Sequence, residues 1–166
     1  MSGVEAVSQR VASKCRQFES RFRAKRIPAM VRDFYLPDAV MEGRDLPAQV
    51  GHKAITRIFT EARSACCRID IELDALTVVG KVAFGNITNR NTLTSGEIEI
   101  HRVLMIWQEV DGDWFVSRDF FFAEQDLLLT ELEFAPSIDE IDTMRIPRRR
   151  GMRPQAAARG RRRVDS

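Results

Sequence analysis

Apolar residues first recur along the chain at helical spacing. Val4, Val7, Val11, Cys15, Phe18 and Phe22 follow one another at steps of three and four. They form a single stripe on a helix of about five turns. Arg10, Lys14, Arg16, Arg21 and Arg23 fill the other faces as a charged outer surface. Pro28 suits the first turn of a second, short helix, whose buried side is Met30, Val31, Phe34 and Tyr35. Pro37 ends that helix, because a proline pushes the preceding residue, Leu36, out of helical angles. The stretch from Asp38 to Val50 reads as irregular, punctuated by Gly43 and Gly51. Asp38 is expected to bond local backbone there, and Glu42 and Asp45 to lie exposed in the same loop. Ile55, Ile58, Phe59, Ala62 and Cys66 then predict a third helix.

From Arg68 the period changes to two. Ile69, Ile71 and Leu73 alternate with Arg68, Asp70, Glu72 and Asp74, the pattern of a half-buried strand. Val82 to Arg90 predicts a second strand, and Asn89 to Gly96 is rich in turn formers. Glu97 to Val110 predicts a long strand, Asp111-Gly112 a hairpin, and Trp114 to Phe122 the returning strand. Helices followed by antiparallel strands predict an α+β fold with the helices on one face of a sheet. Residues 123–134 fit either a last short helix or an edge segment.

Length and charge divide the chain. Its 166 residues suit one domain plus a tail. Residues 1–144 carry 17 Lys+Arg against 23 Asp+Glu, net −6. Residues 145–166 carry nine Arg against one Asp, net +8. We therefore expect a folded domain over 1–134 and an acidic, then Arg-rich, tail over 135–166. The tail has too few large apolar side chains to offset its ordering entropy. Arg148-Arg149-Arg150 and Arg161-Arg162-Arg163 are footprints for a weak, salt-sensitive anionic partner, or rest on the chain's own acidic stretch. Three cysteines, Cys15, Cys66 and Cys67, are odd in number and have no metal-binding spacing, so reduced thiols and no metal are expected. Neither GxGxxG nor GxxxxGK[ST] occurs, and no cofactor is expected. No apolar run is long enough for a membrane span, and the N-terminus lacks the pattern of a secretory signal. The expected location is the cytoplasm.

Three stretches carry a family resemblance: Phe34-Tyr35-Leu36-Pro37-Asp38-Ala39-Val40, Gly51-His52-Lys53-Ala54-Ile55, and Trp107 to Arg118 with Asp111-Gly112-Asp113-Trp114 at its turn. In order and spacing the sequence resembles the nuclear transport factor 2-like superfamily, in its SnoaL-like and ketosteroid isomerase-like branches. The resemblance implies a cone-shaped, cystatin-like fold: three N-terminal helices packed on a curved, mostly antiparallel sheet around an apolar pocket. It also implies a homodimer formed through the sheet. Ser117-Arg118-Asp119-Phe120-Phe121-Phe122 is similar to a stretch of limonene-epoxide hydrolases, in which the aspartate helps to activate water. Only Asp119 is carried over. Met41 and Gly43 stand where that family has Tyr and Asn, and Asn86 and Thr88 where it has Arg and a second Asp. The ketosteroid isomerase base position falls near Glu42-Gly43 and its acid position near Leu104.

Strand alternation suggests which side chains meet. Phe115, Ser117, Asp119 and Phe121 share one face, and so do His101, Val103, Met105 and Trp107. A three-residue loop at Asp111 to Asp113 puts the two sets together, whereas a two-residue loop pairs Asp119 with Leu104. The first buries more apolar residues and is the expectation. Asp119 and His101 are then the candidate catalytic pair. Met41, Phe59, Phe84, Asn86, Thr88, Val103, Met105 and Phe121 are the candidate substrate-binding residues. A desolvated Asp119 suits acid–base chemistry near neutral pH, with His101 in the second proton role. The alternatives are an ion pair of Asp119 with Arg90 or Arg102, a half-exposed His101 and a solvent-facing His52.

Three functions fit this reading. The first is an isomerase, hydrolase or dehydratase acting on a small apolar molecule. The second is a non-catalytic ligand-binding or dimerisation module, and the third an interaction protein working through its Arg-rich tail.

Overall fold

The computed structural model describes residues 3–124 of the chain. Residues 125–166 lie outside that range, and with them most of the expected last helix or edge segment and both arginine clusters. The elements are α1 (Gly3–Arg23), α2 (Ile27–Phe34), β1 (Tyr35–Gly43), β2 (Leu46–Val50), α3 (Gly51–Ala65), β3 (Cys66–Val79), β4 (Val82–Leu93), β5 (Ile98–Val110) and β6 (Asp113–Ala123). One six-stranded sheet runs in the order β2-β1-β6-β5-β4-β3. β1 and β6 are parallel, and every other neighbouring pair is antiparallel. This is the expected α+β arrangement of three helices on a mostly antiparallel sheet. No helix among the described residues is long and apolar enough to cross a membrane.

The helices form where the apolar stripes predict them. Val11, Cys15, Phe18 and Phe22 of α1 are buried, and so are Ile27, Met30, Val31 and Phe34 of α2. Pro28 occupies the first turn of α2, where its missing N–H costs nothing. The layers meet through aromatic rings in tilted and edge-on contact. Phe34 lies 4.7 Å from Phe18 and 5.0 Å from Trp107, centroid to centroid. At the far edge of the sheet, Glu19 of α1 accepts a 2.7 Å hydrogen bond from the Ile71 N–H.

Two expectations need correction. The stretch from Asp38 to Val50 is not irregular but a hairpin, β1–β2, with Val40 opposite Val50 and Met41 opposite Gln49. Its prolines and glycine masked the alternation. Pro37 has no N–H to give to a ladder, and the β1–β6 pairing is interrupted between Tyr35 and Val40. The second correction is the turn between β5 and β6. It has two residues, Asp111 and Gly112, both at positive φ (52° and 81°), and Val110 pairs with Asp113. Such a turn matches the twist of the strands it joins.

A two-residue turn alone would have put Asp119 opposite Leu104. A β-bulge prevents this. Trp107 pairs with Val116 but Ile106 pairs with Arg118, so Ser117 is an extra residue in β6. Its hydroxyl donates to the Ile106 carbonyl at 3.1 Å. Beyond the bulge the register is that of the expected longer loop, with Asp119 opposite Met105 and Phe121 opposite Val103. Before the bulge it is not. Trp114 and Val116 are the buried residues there, and Phe115 sits opposite Gln108.

The turn makes a first prediction. At Gly112 a Cβ meets nothing within 4 Å, so only the backbone angle opposes a side chain. Gly112→Ala should lower stability by about 1–2 kcal/mol, the cost of a left-handed alanine. Asp111→Asn, which keeps a residue tolerant of that region, should leave stability nearly unchanged. Urea unfolding of the two variants checks this, and equal midpoints would contradict the turn geometry.

Candidate functional site

A cavity of about 350 Å³ opens between α3 and the inner face of the sheet. Its apolar wall includes Met41 from β1, Ile58 and Phe59 from α3, Ile69 from β3, Leu93 from β4 and Phe121 from β6. Its polar groups come from three adjacent strands: Asn89 and Asn91 of β4, Glu99 and His101 of β5, and Asp119 of β6. A wider cleft of about 510 Å³ lies between α1 and the β5–β6 turn. Most of its charged groups are paired within the protein. Lys14 bridges Asp113 at 2.6 Å and covers the Phe115 ring, Asp33 pairs with Arg21, and Arg10 bonds the Gly112 carbonyl.

Asp119 is 4% exposed and has no cation against it among the described residues. Arg90 pairs instead with Glu72, and Arg102 with Asp74 and Glu124. The partner of Asp119 is Tyr35, whose phenol donates a 2.6 Å hydrogen bond to Oδ2. Burial raises the Asp119 carboxyl from its ordinary 3.8 to about 6, and the Tyr35 bond holds it from rising further. The same burial, together with the negative carboxylate, pushes the Tyr35 phenol well above its ordinary value. The pair is therefore a carboxylate close to its protonation midpoint and a phenol that stays protonated.

Tyr35 was placed by its sequence pattern only on the buried side of the second helix. The structure puts it at the junction of α2 and β1, 1% exposed. The available signal was that it is the chain's single tyrosine in an apolar stretch, and a buried tyrosine hydroxyl requires a partner. His52 is not solvent-facing: its Nε2 bonds the Tyr35 carbonyl at 2.8 Å. This contact ties the start of α3 to the start of β1.

His101 shares the cavity with Asp119 but not its immediate surroundings. It pairs with Ala123 across the β5–β6 ladder, while Asp119 pairs with Met105, four residues further along β5. Four residues of strand span about 13 Å. The His101 ring lies instead beside Glu99, at 3.5 Å, and Phe121, with centroids 6.0 Å apart. Across the β4–β5 ladder His101 faces Asn89, and Glu99 faces Asn91. The cavity thus has two polar poles, Asp119–Tyr35 at one end and Asn89, Asn91, Glu99 and His101 at the other.

Met41, Phe59 and Phe121 line the cavity as expected. Val103 and Met105 share the inner face with Asp119 but are packed into the core behind the wall. Phe84, Asn86 and Thr88 lie on the opposite face of the sheet. They pair with Ile106, Leu104 and Arg102, and Phe84 is 42% exposed. Thr88 is buried there by its bonds to Asp74 and Arg102. The slip is a single residue, which in a strand exchanges the faces. The inward set of β4 is Ala83, Gly85, Ile87, Asn89 and Asn91. Of these, the asparagines reach the cavity, and their Oδ1 atoms are buried without a partner.

The fold has many solved counterparts. A ketosteroid isomerase-like protein from Erwinia carotovora atroseptica is 17% identical, with a TM-score of 0.58, over 70% of this chain and 95% of that one. A protein with a cystatin-like fold from Novosphingobium aromaticivorans is 11% identical, with a TM-score of 0.62, over 70% and 81%. A third, of unknown function, from Pseudomonas putida, is 20% identical, with a TM-score of 0.58, over 71% and 87%. No protein-family profile matches the chain, and no curated protein matches it.

The buried acid predicts how stability varies with pH. Folded Asp119 holds its proton to about pH 6, whereas the unfolded chain releases it near 3.8. The contribution is complete below 3.8 and is lost as pH rises through 6. The loss is about 3 kcal/mol by neutral pH. Asp119→Asn has no such loss, so its stability relative to the parent should rise by that order between pH 4 and 7. Paired denaturant titrations at several pH values measure the difference, and a flat difference would contradict a desolvated Asp119. Because the second and third of those solved structures are described as nuclear transport factor 2-like, and the first as ketosteroid isomerase-like, the chain has the nuclear transport factor 2-like fold.

Proposed function

We propose that the cavity binds a small apolar molecule and that Asp119 acts on it as a general base, or in its protonated form as a general acid. The observation that carries this reading is the Asp119–Tyr35 pair. It is a carboxyl group inside an apolar cavity, without a cation to neutralise it, and with its protonation midpoint raised to about 6. Keeping an unpaired carboxylate there costs stability, and a general base working near neutral pH gives that cost a use. Tyr35 is a positioning residue: it fixes one carboxylate oxygen and moderates the acidity. His101 serves ligand binding at the far pole rather than proton transfer beside Asp119. That one solved protein of this fold is described as ketosteroid isomerase-like is in keeping with this reading. Epoxide hydrolysis finds no support, because Met41 and Gly43 offer no group to hold a water beside Asp119.

A substrate-independent test is exchange at carbon. A base in this position should catalyse deuterium uptake from heavy water alpha to the carbonyl of bound cyclic ketones such as 2-tetralone. We expect Asp119→Asn to slow this uptake by about 10²–10⁴-fold. Tyr35→Phe removes the bond that lowers the Asp119 pKa, so the midpoint of the rate–pH profile should move upward from about 6. Ketone binding without exchange above the Asp119→Asn level would leave a binding module and dispose of the base.

We also propose that two copies of the chain pair through the outer face of the sheet. Phe84, Leu104 and Phe122 are 42%, 38% and 41% exposed there. Two of the ion pairs beside them, Arg90–Glu72 and Arg102–Asp74, are each closed within one copy, which limits like-charge repulsion when the face meets its own image. Leu104→Glu should convert a dimer to a monomer in sedimentation equilibrium. A parent chain that is monomeric at high micromolar concentration would refute the pairing.

A further inference from the structure

The second pole of the cavity is left without work by the proton-transfer reading, and its one carboxyl group, Glu99, has the His101 ring beside it at 3.5 Å. Two carboxyl groups line the cavity, Asp119 at one pole and Glu99 at the other. Among the described residues, no lysine or arginine lines it. Of the nearby arginines, Arg63 of α3 donates through Nη1 to the Cys66 carbonyl at 3.1 Å and lies over the Phe22 ring, with its Nε buried and without a hydrogen-bond partner among the described residues, and Arg102 turns to Thr88 and Asp74 on the outer face. The Cys66 thiol donates to the Arg68 carbonyl. Asn89 and Asn91 have buried amide oxygens with no donor against them. An unsatisfied buried acceptor is costly, and two of them stand two residues apart on β4, across the ladder from His101 and Glu99.

We propose that the ligand is a small apolar molecule carrying a protonated primary amine, seated at Glu99, Asn89 and Asn91, and that the cavity rejects carboxylates. An ammonium group brings three donors and one positive charge. It answers the Glu99 carboxylate and, after rotation of the amides, their oxygens. Phe121, whose ring lies 6.0 Å from that of His101, is the aromatic neighbour of this pole. A carboxylate ligand would meet two carboxyl groups and, among the described residues, no lysine or arginine to compensate its burial. The apolar wall between the poles accommodates the body of the molecule, and its other end reaches Asp119. This inference rests on the reading of the cavity as a ligand site and adds the ligand's chemical class.

The test uses the full chain and three fluorescent probes of one shape at pH 7.5: 1-naphthylmethylamine, 1-naphthalenemethanol and 1-naphthoate. The amine should bind at least about ten times more tightly than the alcohol, and the carboxylate more weakly than either. Glu99→Gln should cut the preference for amine over alcohol several-fold; Glu99 is half exposed, so the variant is expected to fold. Ala62→Phe, which places a ring in the cavity, should abolish binding of both. Alcohol or carboxylate binding as tightly as the amine would overturn the amine assignment while leaving the cavity a ligand site. An amine preference that survives Glu99→Gln, or amine binding that survives Ala62→Phe, would also overturn it. Failure of all three probes to bind would remove the ligand-site reading, and this inference with it.

Discussion

Everything at the site depends on one extra residue in β6. A regular hairpin grown from the Asp111-Gly112 turn would carry Asp119 to the outer face of the sheet, beside Leu104. Ser117 breaks the alternation once, so the strand buries Trp114 and Val116 on one side of the bulge and Asp119 and Phe121 on the other. A bulge leaves a ladder carbonyl short of its partner, and here the Ser117 hydroxyl supplies the donor to Ile106. The parallel neighbour β1 is irregular at the same level, where Pro37 interrupts the ladder between Tyr35 and Val40. Two matched irregularities bring the Tyr35 phenol and the Asp119 carboxylate to one point from two strands.

That meeting is a compromise between two forces. Burial favours the neutral acid, and the phenol favours the anion. Neither wins outright, and the midpoint rests near 6. A cation in place of Tyr35 would have pinned the carboxylate in its charged form, as Arg32 and Arg21 do for Asp33 on α2. An apolar neighbour would have pushed it further toward the neutral acid. A single neutral donor is the arrangement that leaves the group able to exchange a proton in the physiological range.

The helices were legible because each buries one stripe and exposes the rest. The inward set of β6 was legible beyond the bulge for a wrong reason: a longer loop and a shorter loop with a bulge give the same register from Arg118 onward. Strand β4 was misread by one residue because Asn86 and Thr88 were placed by counting back from Asp119 without gaps along a family resemblance, and a count slipped by one residue exchanges the faces of a strand. The β1–β2 hairpin was hidden by Pro37, Gly43 and Pro47, residues that argue against strands unless an edge or a bulge excuses them. Tyr35 was missed because its partner lies 84 residues away in sequence, and no local period carries that information.

The two poles differ in how they came to be polar, and this separates their roles. Asp119 and Tyr35 satisfy each other, so the acid is held in place whether or not the cavity is filled. Asn89 and Asn91 face Glu99 and His101 across one ladder, yet their amide oxygens take no hydrogen bond from the protein. A folded chain tolerates such orphans at a cost of about 1–3 kcal/mol each. A pole that is complete without a ligand suits chemistry, where geometry must precede binding. A pole that is incomplete without one suits recognition, because the missing hydrogen bonds become affinity when a donor arrives. Apolar Phe121 lies between the two, its ring against His101 and its backbone opposite Gly43, where any Cβ would come within 2.7 Å of that ring. The glycine leaves the space that the Phe121 ring occupies on the cavity wall.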